Sequence, residues 1–262
     1  MIILTDIHGN FDTMMALLDT IPQEEKDKGI VICGDLIDRG PKSMDIVQYC
    51  IDNNIQVVKG NHEEMMVDWI ASGCRYSNQL WLGNGGLECL DSYKEKVDHP
   101  YLKGGIDMDK LNEHALWMDL LPYYIEFPNI KNDEGRYLVI SHSNIGNVWN
   151  DKDSDRGHVE ITWGRPTKIK DVPEIFNVIG HTPQEHGARN RKIYANIDTG
   201  CFYMRSGYGR LTALQFPEMI FYEHENIDMQ KLDNPLVSKL TAEELKDRKK
   251  HEERWNPSKK RY

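Results

Sequence analysis

Five short polar motifs, each directly behind an apolar run, constrain this chain more than any other feature. The runs are Ile2–Leu4, Ile30–Cys33, Ile55–Val58, Tyr137–Ile140 and Phe176–Ile179. Their length and aliphatic content read as buried strands. Behind them stand Asp6-Ile7-His8-Gly9-Asn10, Gly34-Asp35-Leu36-Ile37-Asp38-Arg39-Gly40, Gly60-Asn61-His62-Glu63, Ser141-His142 and Gly180-His181. In open α/β sheets, residues at the carboxyl ends of strands face the crevice where ligands bind. Asp, His, Asn and Arg in that place are metal ligands and phosphate binders, so the pattern predicts a site together with a fold.

The first sixty residues alternate strand and helix. Asn10 is placed to cap a helix with Phe11, Met14, Met15, Leu18 and Ile21 on its apolar face, and Pro41 suits the first turn of the next helix. A βαβαβ unit of this kind makes parallel strands. Residues 63–121 read as a helical insertion, stopped by Pro122. Beyond it, Tyr123–Phe127, Tyr137–Ile140, Phe176–Ile179, Lys192–Ile197, Arg210–Phe216 and Met219–Tyr222 read as strands, with Asn132-Asp133-Glu134-Gly135 a turn. The expectation is an α/β fold (α+β mixed): two stacked sheets flanked by helices, its second half mostly antiparallel. A catalytic domain is expected over residues 1–222 and a charged extension over 223–262.

The net charge of −10 argues against general nucleic-acid binding. The tail, residues 241–262, is basic and reads as a solvated charged helix, with a docking arm as the alternative. No apolar run is long enough for a membrane span, and no secretory leader pattern opens the chain. Cys33, Cys50, Cys74, Cys89 and Cys201 form no close-spaced pairs, so reduced thiols and a cytoplasmic location are expected.

Asp6 and His8, two residues apart on an extended strand end, can share one cation. Asp35 has two carboxylate oxygens and can bridge to a second cation, completed by Asn61, His142 and His181. Two cations about 3.5–4 Å apart make a hydrolytic centre. Oxygen and nitrogen donors without thiolate favour Mn²⁺, with Fe or Zn as alternatives.

These motifs resemble the phosphoesterase motif of the metallophosphatases. More narrowly, they are similar to the PPP-type serine/threonine protein phosphatases, in the small bacterial and phage branch of the bacteriophage lambda phosphatase type. Asn84-Gly85-Gly86, Gly180-His181-Thr182-Pro183 and Ile197-Asp198-Thr199-Gly200 extend the similarity, which covers roughly residues 1–216. The resemblance implies that Asp6, His8 and Asp35 hold one metal, and that Asp35, Asn61, His142 and His181 hold the other. It implies His62 as general acid paired with Asp38, whose carboxylate would favour the imidazolium. Arg39 and Arg165 would hold the phosphate, beside Asn61. Two departures stand out: Lys59 where many members have Arg, and Ser141-His142-Ser143-Asn144 in place of His-Gly-Gly. Asp198 reads either as orienting a ligand histidine or as satisfying a turn, and His158 and His186 as surface residues. The implied activity is hydrolysis of phosphoserine or phosphothreonine, with a phosphoprotein or phosphopeptide as partner. The alternative is a symmetrical dinucleoside polyphosphate (diadenosine tetraphosphate) hydrolase. A third reading is a non-catalytic binding protein on the same fold. Asp38 before Arg39 and Glu63 after His62 lean towards the protein phosphatases.

Overall fold

The computed structural model describes residues 1–95 and 104–231, so the tail helix expected at 241–262 lies outside the described residues. The first strand, β1 (Ile2–Leu4), already sorts the layers. Side chains alternate across a strand. Ile2 and Leu4 therefore enter a core shared with helices, while Ile3 enters the core between two sheets. β2 (Ile30–Ile32) and β3 (Gln56–Val57) lie parallel to β1, joined by α1 (Phe11–Asp19), α2 (Gln23–Lys26) and α3 (Ser43–Asp52). Pro41 lies before α3 rather than in its first turn. The helical stretch that follows comprises α4 (Asn61–Ser72), α5 (Arg75–Trp81), a kinked turn Leu82–Gly86, α6 (Leu87–Ser92) and α7 (Met108–Asp119).

The second sheet is built from β4 (Tyr124–Lys131), β5 (Tyr137–Ser141), β6 (Ile175–Ile179), β7 (Arg189–Asn190) and β8 (Tyr194–Asn196), in the order β4-β5-β6-β8-β7. Four of the six pairings made by strands of the second half are antiparallel, as expected, but the centre of this sheet is not. β5, β6 and β8 are parallel, and the edge strands β4 and β7 are antiparallel. Parallel pairing needs a crossover. Between β5 and β6 it is supplied by a 3₁₀ turn at Gly146–Asp151 and by α8 (Asp155–Trp163). Only Gly157, Ile161 and Thr162 of α8 are buried, too sparse an apolar stripe to announce a helix in the sequence. The hairpin β9 (Arg210–Gln215) and β10 (Ile220–Glu225) returns to the first sheet beside β1, giving β10-β9-β1-β2-β3. The result is the expected two-sheet sandwich flanked by helices, with both sheets mixed.

Between the sheets, Ile3, Val31, Cys33 and Val58 meet Leu138, Ile140, Phe176, Val178 and Ala195, all essentially inaccessible. Each large aliphatic or aromatic side chain buried in this way contributes about 1.5–3 kcal/mol. That core fixes the two sets of parallel strands against each other and so fixes their carboxyl ends.

Asn10 does not cap α1. Its amide donates to the Ile7 and His8 carbonyls at 2.7 and 2.8 Å, and its oxygen accepts from Asn226. The cap comes instead from α9 (Asp228–Lys231), far along the chain. The buried Asp228 carboxylate accepts from the Asp12 and Thr13 amides at 3.2 and 2.8 Å and from the Thr13 hydroxyl at 2.7 Å. The compact unit accordingly runs Met1–Met229 and takes in residues that the sequence reading gave to the extension. Replacing Asp228 with Ala removes the acceptor for three donors, two of them buried. The expected loss is about 1–3 kcal/mol, read as a lower urea midpoint; an unchanged midpoint would show that α1 needs no such cap.

Candidate metal centre

β1, β2 and β3 in one sheet and β5, β6 and β8 in the other end in the same crevice. Two contacts weld those ends together across the sheets. The His142 imidazole is bonded through Nδ1 to the Cys33 carbonyl at 2.7 Å, and the His181 amide donates to Asp6 Oδ2 at 3.0 Å. The backbone there is bent hard. Among the described residues nine non-glycine residues have left-handed φ, and six of them are Asp6, His8, Asp35, Asp38, Arg39 and His181. Such conformations cost of order 1–3 kcal/mol each and are least costly for Asp, Asn and His. At Asp6 and His8 this corrects the extended strand end expected from the sequence: β1 stops at Leu4 and a left-handed turn carries both side chains.

The crevice gathers two donor groups with Asp35 in common: His8, Asp35 and His62, and Asp35, His142 and His181, all buried. His8 Nε2 lies 3.6 Å from Asp35 Oδ2, and His142 Nε2 lies 3.4 Å from Asp35 Oδ1. Asn61 Oδ1 and His181 Nδ1 are 3.1 and 3.0 Å from His142 Nε2, so Asn61 joins the second group. Asp6 stands at the rim of the first, Oδ1 3.9 Å from His8 Nε2, its Oδ2 engaged by Thr5 and by the His181 amide. The grouping brings in His62, which the sequence reading assigned first to proton transfer, with a ligand role or packing as the alternative.

The donor chemistry fits divalent cations. His8 Nδ1 donates to the Ile37 carbonyl at 2.9 Å and His142 Nδ1 to the Cys33 carbonyl, so their Nε2 atoms face the crevice. Positive charge is drawn to both groups. The Arg39 guanidinium lies 2.8 Å from His8 Nε2 and 3.0 Å from His62 Nε2, standing where a cation would. In the second group burial opposes protonation of His142, but the Asp35 carboxylate overrides it and raises the ring to about 10. Burial would push Asp35 up, yet His142, His62 and His8 hold it well below the usual carboxylate range. Burial and then Arg39 bring His8 down to about 3. Glycines keep the donors close: a Cβ on Gly60 would sit 2.3 Å from Asp35 Oδ1.

His62 Nδ1 lies 2.5 Å from Asp38 Oδ2, the expected pairing. Burial pushes Asp38 well above and His62 well below their ordinary values, and Arg39 adds to the lowering at His62. The Trp81 indole donates to both Asp38 oxygens, at 2.9 and 3.1 Å. The next turn carries Gly85, whose carbonyl accepts the Arg39 amide at 3.1 Å. A Cβ on Gly85 would lie 2.7 Å from Arg39 Cγ, which explains a glycine in Asn84-Gly85-Gly86. The helical stretch thus locks Asp38 and Arg39 from behind.

Glu63 is the site residue whose role the sequence reading missed. Its buried carboxylate accepts from the amides of Asp35, Leu36 and Gly60 at 2.9, 2.8 and 2.9 Å. Burial, then Asp35, raise it to about 7. The signal was available: a Glu at the third position of a helix reaches back to the amide before it. Asp198 also lines the crevice. One oxygen accepts the Gly200 amide at 2.8 Å while the other, buried, has no partner, and burial and then Asp6 raise it well above the carboxylate range. Phe202 and Tyr203 form a wall that sequence reading did not anticipate. Arg165 is exposed at the mouth, 3.4 Å from the Thr182 hydroxyl. Lys59 turns away, its ammonium 2.7 Å from the Asp119 carbonyl at the end of α7. Asn144 bonds Asn177, and the Ser143 hydroxyl bonds the Gly164 carbonyl. These departures brace the scaffold.

The family described as calcineurin-like phosphoesterase matches residues 1–205. The chain belongs to that family. The calcineurin-like phosphoesterases imply a dinuclear metal site, and the two groups sharing Asp35 fit it. Along most of its length the chain is similar to the asymmetrical bis(5′-nucleosyl)-tetraphosphatase PrpE of Bacillus velezensis, 27% identical over 247 residues, covering 87% of this chain and 91% of that one. It is 34% identical over 113 residues to the symmetrical bis(5′-nucleosyl)-tetraphosphatase of Neisseria gonorrhoeae, covering 42% of this chain and 36% of that one. Serine/threonine-protein phosphatase 1 of Salmonella typhimurium is 38% identical over 84 residues, covering 32% and 38%. The long match thus shifts the likeness from the phage phosphatase branch towards the nucleosyl tetraphosphatases. Among the described residues no helix is long and apolar enough to cross a membrane.

Glu63→Gln keeps the shape of the brace but sets an NH₂ against backbone amides. Metal affinity or kcat should fall about 10–100-fold with the fold intact by circular dichroism. Wild-type metal binding and turnover in this variant would show that Asp35 needs no brace.

Proposed function

We propose that this chain is a metal-dependent hydrolase of dinucleoside tetraphosphates. The observation that carries the proposal is the likeness to a bis(5′-nucleosyl)-tetraphosphatase over 87% of the chain, against 32% for the protein phosphatase. Mn²⁺ is the cation we assign. Asp6, His8 and Asp35 would hold one ion, with His62 Nε2 adjoining, and Asp35, Asn61, His142 and His181 the other. When bound, the ions lower the pKa of a water and neutralise phosphate oxygens during in-line attack. Arg39 and Arg165 suit bidentate contact with the phosphate. His62 presents Nε2 to the crevice, so the leaving oxygen would take its proton there, while Asp38 holds Nδ1 and fixes the ring. The five cysteines, all free thiols and four of them buried, suit a reducing cytoplasm.

A phosphoprotein phosphatase is the second reading, favoured by the 38% identity to the Salmonella enzyme over the shared stretch. A non-catalytic role fits poorly with so many polar side chains held in left-handed backbone around one carboxylate. Steady-state rates on diadenosine tetraphosphate, a phosphoserine peptide and p-nitrophenyl phosphate decide between the substrates, and product analysis reports symmetrical or asymmetrical cleavage. The dinucleotide should have the highest kcat/KM; a peptide that exceeds it tenfold would reverse the order of the two readings. EDTA should abolish turnover and Mn²⁺ restore it, and full activity without metal would sink the centre itself.

His62→Asn should keep its metals and lose about 10²–10⁴-fold in kcat on substrates with basic leaving groups, less on p-nitrophenyl phosphate. Loss of bound metal in that variant would make His62 a ligand instead.

A further inference from the structure

A second feature of the molecule is a basic groove on a chain whose net charge is −10. One wall is the segment Pro166, Thr167 and Ile169; the other is the hairpin of β7 and β8, with Arg189, Arg191, Lys192 and Tyr194. Strand register shows where it leads. Arg189 pairs with Asn196 and Asn190 with Ala195, and the Arg191 amide closes the turn on the Tyr194 carbonyl at 2.9 Å. Side chains at alternate positions share a face. Ala195 points into the core between the sheets, so Arg189, Arg191, Tyr194 and Asn196 share the opposite face. At the inner end of that face the Asn196 amide donates to the Thr182 carbonyl at 2.9 Å, next to His181. The Thr182 hydroxyl in turn lies 3.4 Å from Arg165, and Pro166 follows Arg165 into the opposite wall. The groove therefore starts at the mouth of the metal centre and runs outward along the hairpin. Arg189, Arg191 and Lys192 are exposed, and among the described residues none makes an ion pair within 4 Å. Lys192 contributes to lowering the Asp171 carboxyl, whose own partner is Arg136 at 2.8 Å.

We propose that this groove is the subsite for the anionic arm of the substrate beyond the scissile phosphate: the remaining phosphates and the nucleoside they carry. The proposal rests on the tetraphosphate reading. An arm leaving the phosphate held near Arg165 meets Arg189 first, then Arg191 and Lys192, and Tyr194 on the same face offers a ring to the base. The site adds cations where the overall field of the protein is repulsive to polyanions. It selects for length of the phosphate chain, because a monoester fills only the metal centre.

Arg191→Glu combined with Lys192→Glu, both exposed and outside the metal centre, tests it, with Arg191→Gln and Lys192→Gln as the milder pair. On diadenosine tetraphosphate KM should rise about tenfold or more with kcat kept, and its dependence on salt should flatten. The neutral pair should fall between. Kinetics on p-nitrophenyl phosphate should stay within about twofold, since that ester does not reach the groove. Binding of inorganic tripolyphosphate, followed by calorimetry, should weaken in parallel; it needs no turnover. An unchanged KM on the dinucleotide overturns the subsite. If the wild type does not hydrolyse the dinucleotide at all, the tetraphosphate reading fails separately. Weaker tripolyphosphate binding by the variant then still supports an anion groove, and equal binding overturns it. A rise in KM confined to an acidic phosphopeptide reassigns the groove to protein substrates and also overturns the proposal.

Discussion

The buried Asp35 carboxylate is the constraint on which the rest of the centre depends. It lies 3.4–3.9 Å from the rings of His142, His8 and His62, with its own amide and that of Leu36 pinned by Glu63. A carboxylate out of water is costly unless it is paired with positive charge. In this protein that charge is carried by the His142 ring, while the Arg39 guanidinium bonds the neighbouring His8 and His62 rings, and the same arrangement leaves lone pairs convergent on two points. The price is backbone strain: left-handed φ at six motif residues holds those donors inward. Such strain survives only where the surroundings over-determine it, and the sandwich core on one side and the helices on the other supply that rigidity.

The helices do more than cover the first sheet. Trp81 anchors Asp38 through its indole, and Gly85 receives the Arg39 amide at a kink between two helices. Gly85, with φ of 110°, kinks the helical run there and turns its carbonyl towards Arg39. At α1 the logic is similar: Asn10 is spent on closing the turn behind His8, and Asp228 caps the helix from the far end of the compact unit. Local structure near the metals is thus completed by residues remote in sequence.

Substrate selection lies further out, where motifs give way to walls. Phe202, Tyr203 and Arg165 frame the mouth, and the β7–β8 hairpin carries the basic face away from it. These positions differ in kind from the metal donors. Their chemistry is ordinary for a surface, and only their placement beside the centre makes them selective.

The sequence by itself determined the strands and the polar residues behind them. Period-two burial and the run-then-motif pattern are local, and a motif at a strand's carboxyl end faces the crevice whatever follows it. Asp6, His8, Asp35, Asn61, His142 and His181 were legible for that reason. Tertiary structure decided what depends on distant partners. The second sheet is parallel at its centre because the weakly patterned α8 provides the crossover. His62 joins the first donor group because the strained turn at Asp38 and Arg39 brings its ring there. Its protonation follows from burial and from Arg39, neither of which is visible in Asn61-His62-Glu63. Lys59 braces α7 because the Asp119 carbonyl lies within reach only in the folded chain. Side-chain types are written in the sequence, but electrostatic environment is a property of neighbours in space, and those neighbours come from strands and helices brought together by a core that no short window of residues contains.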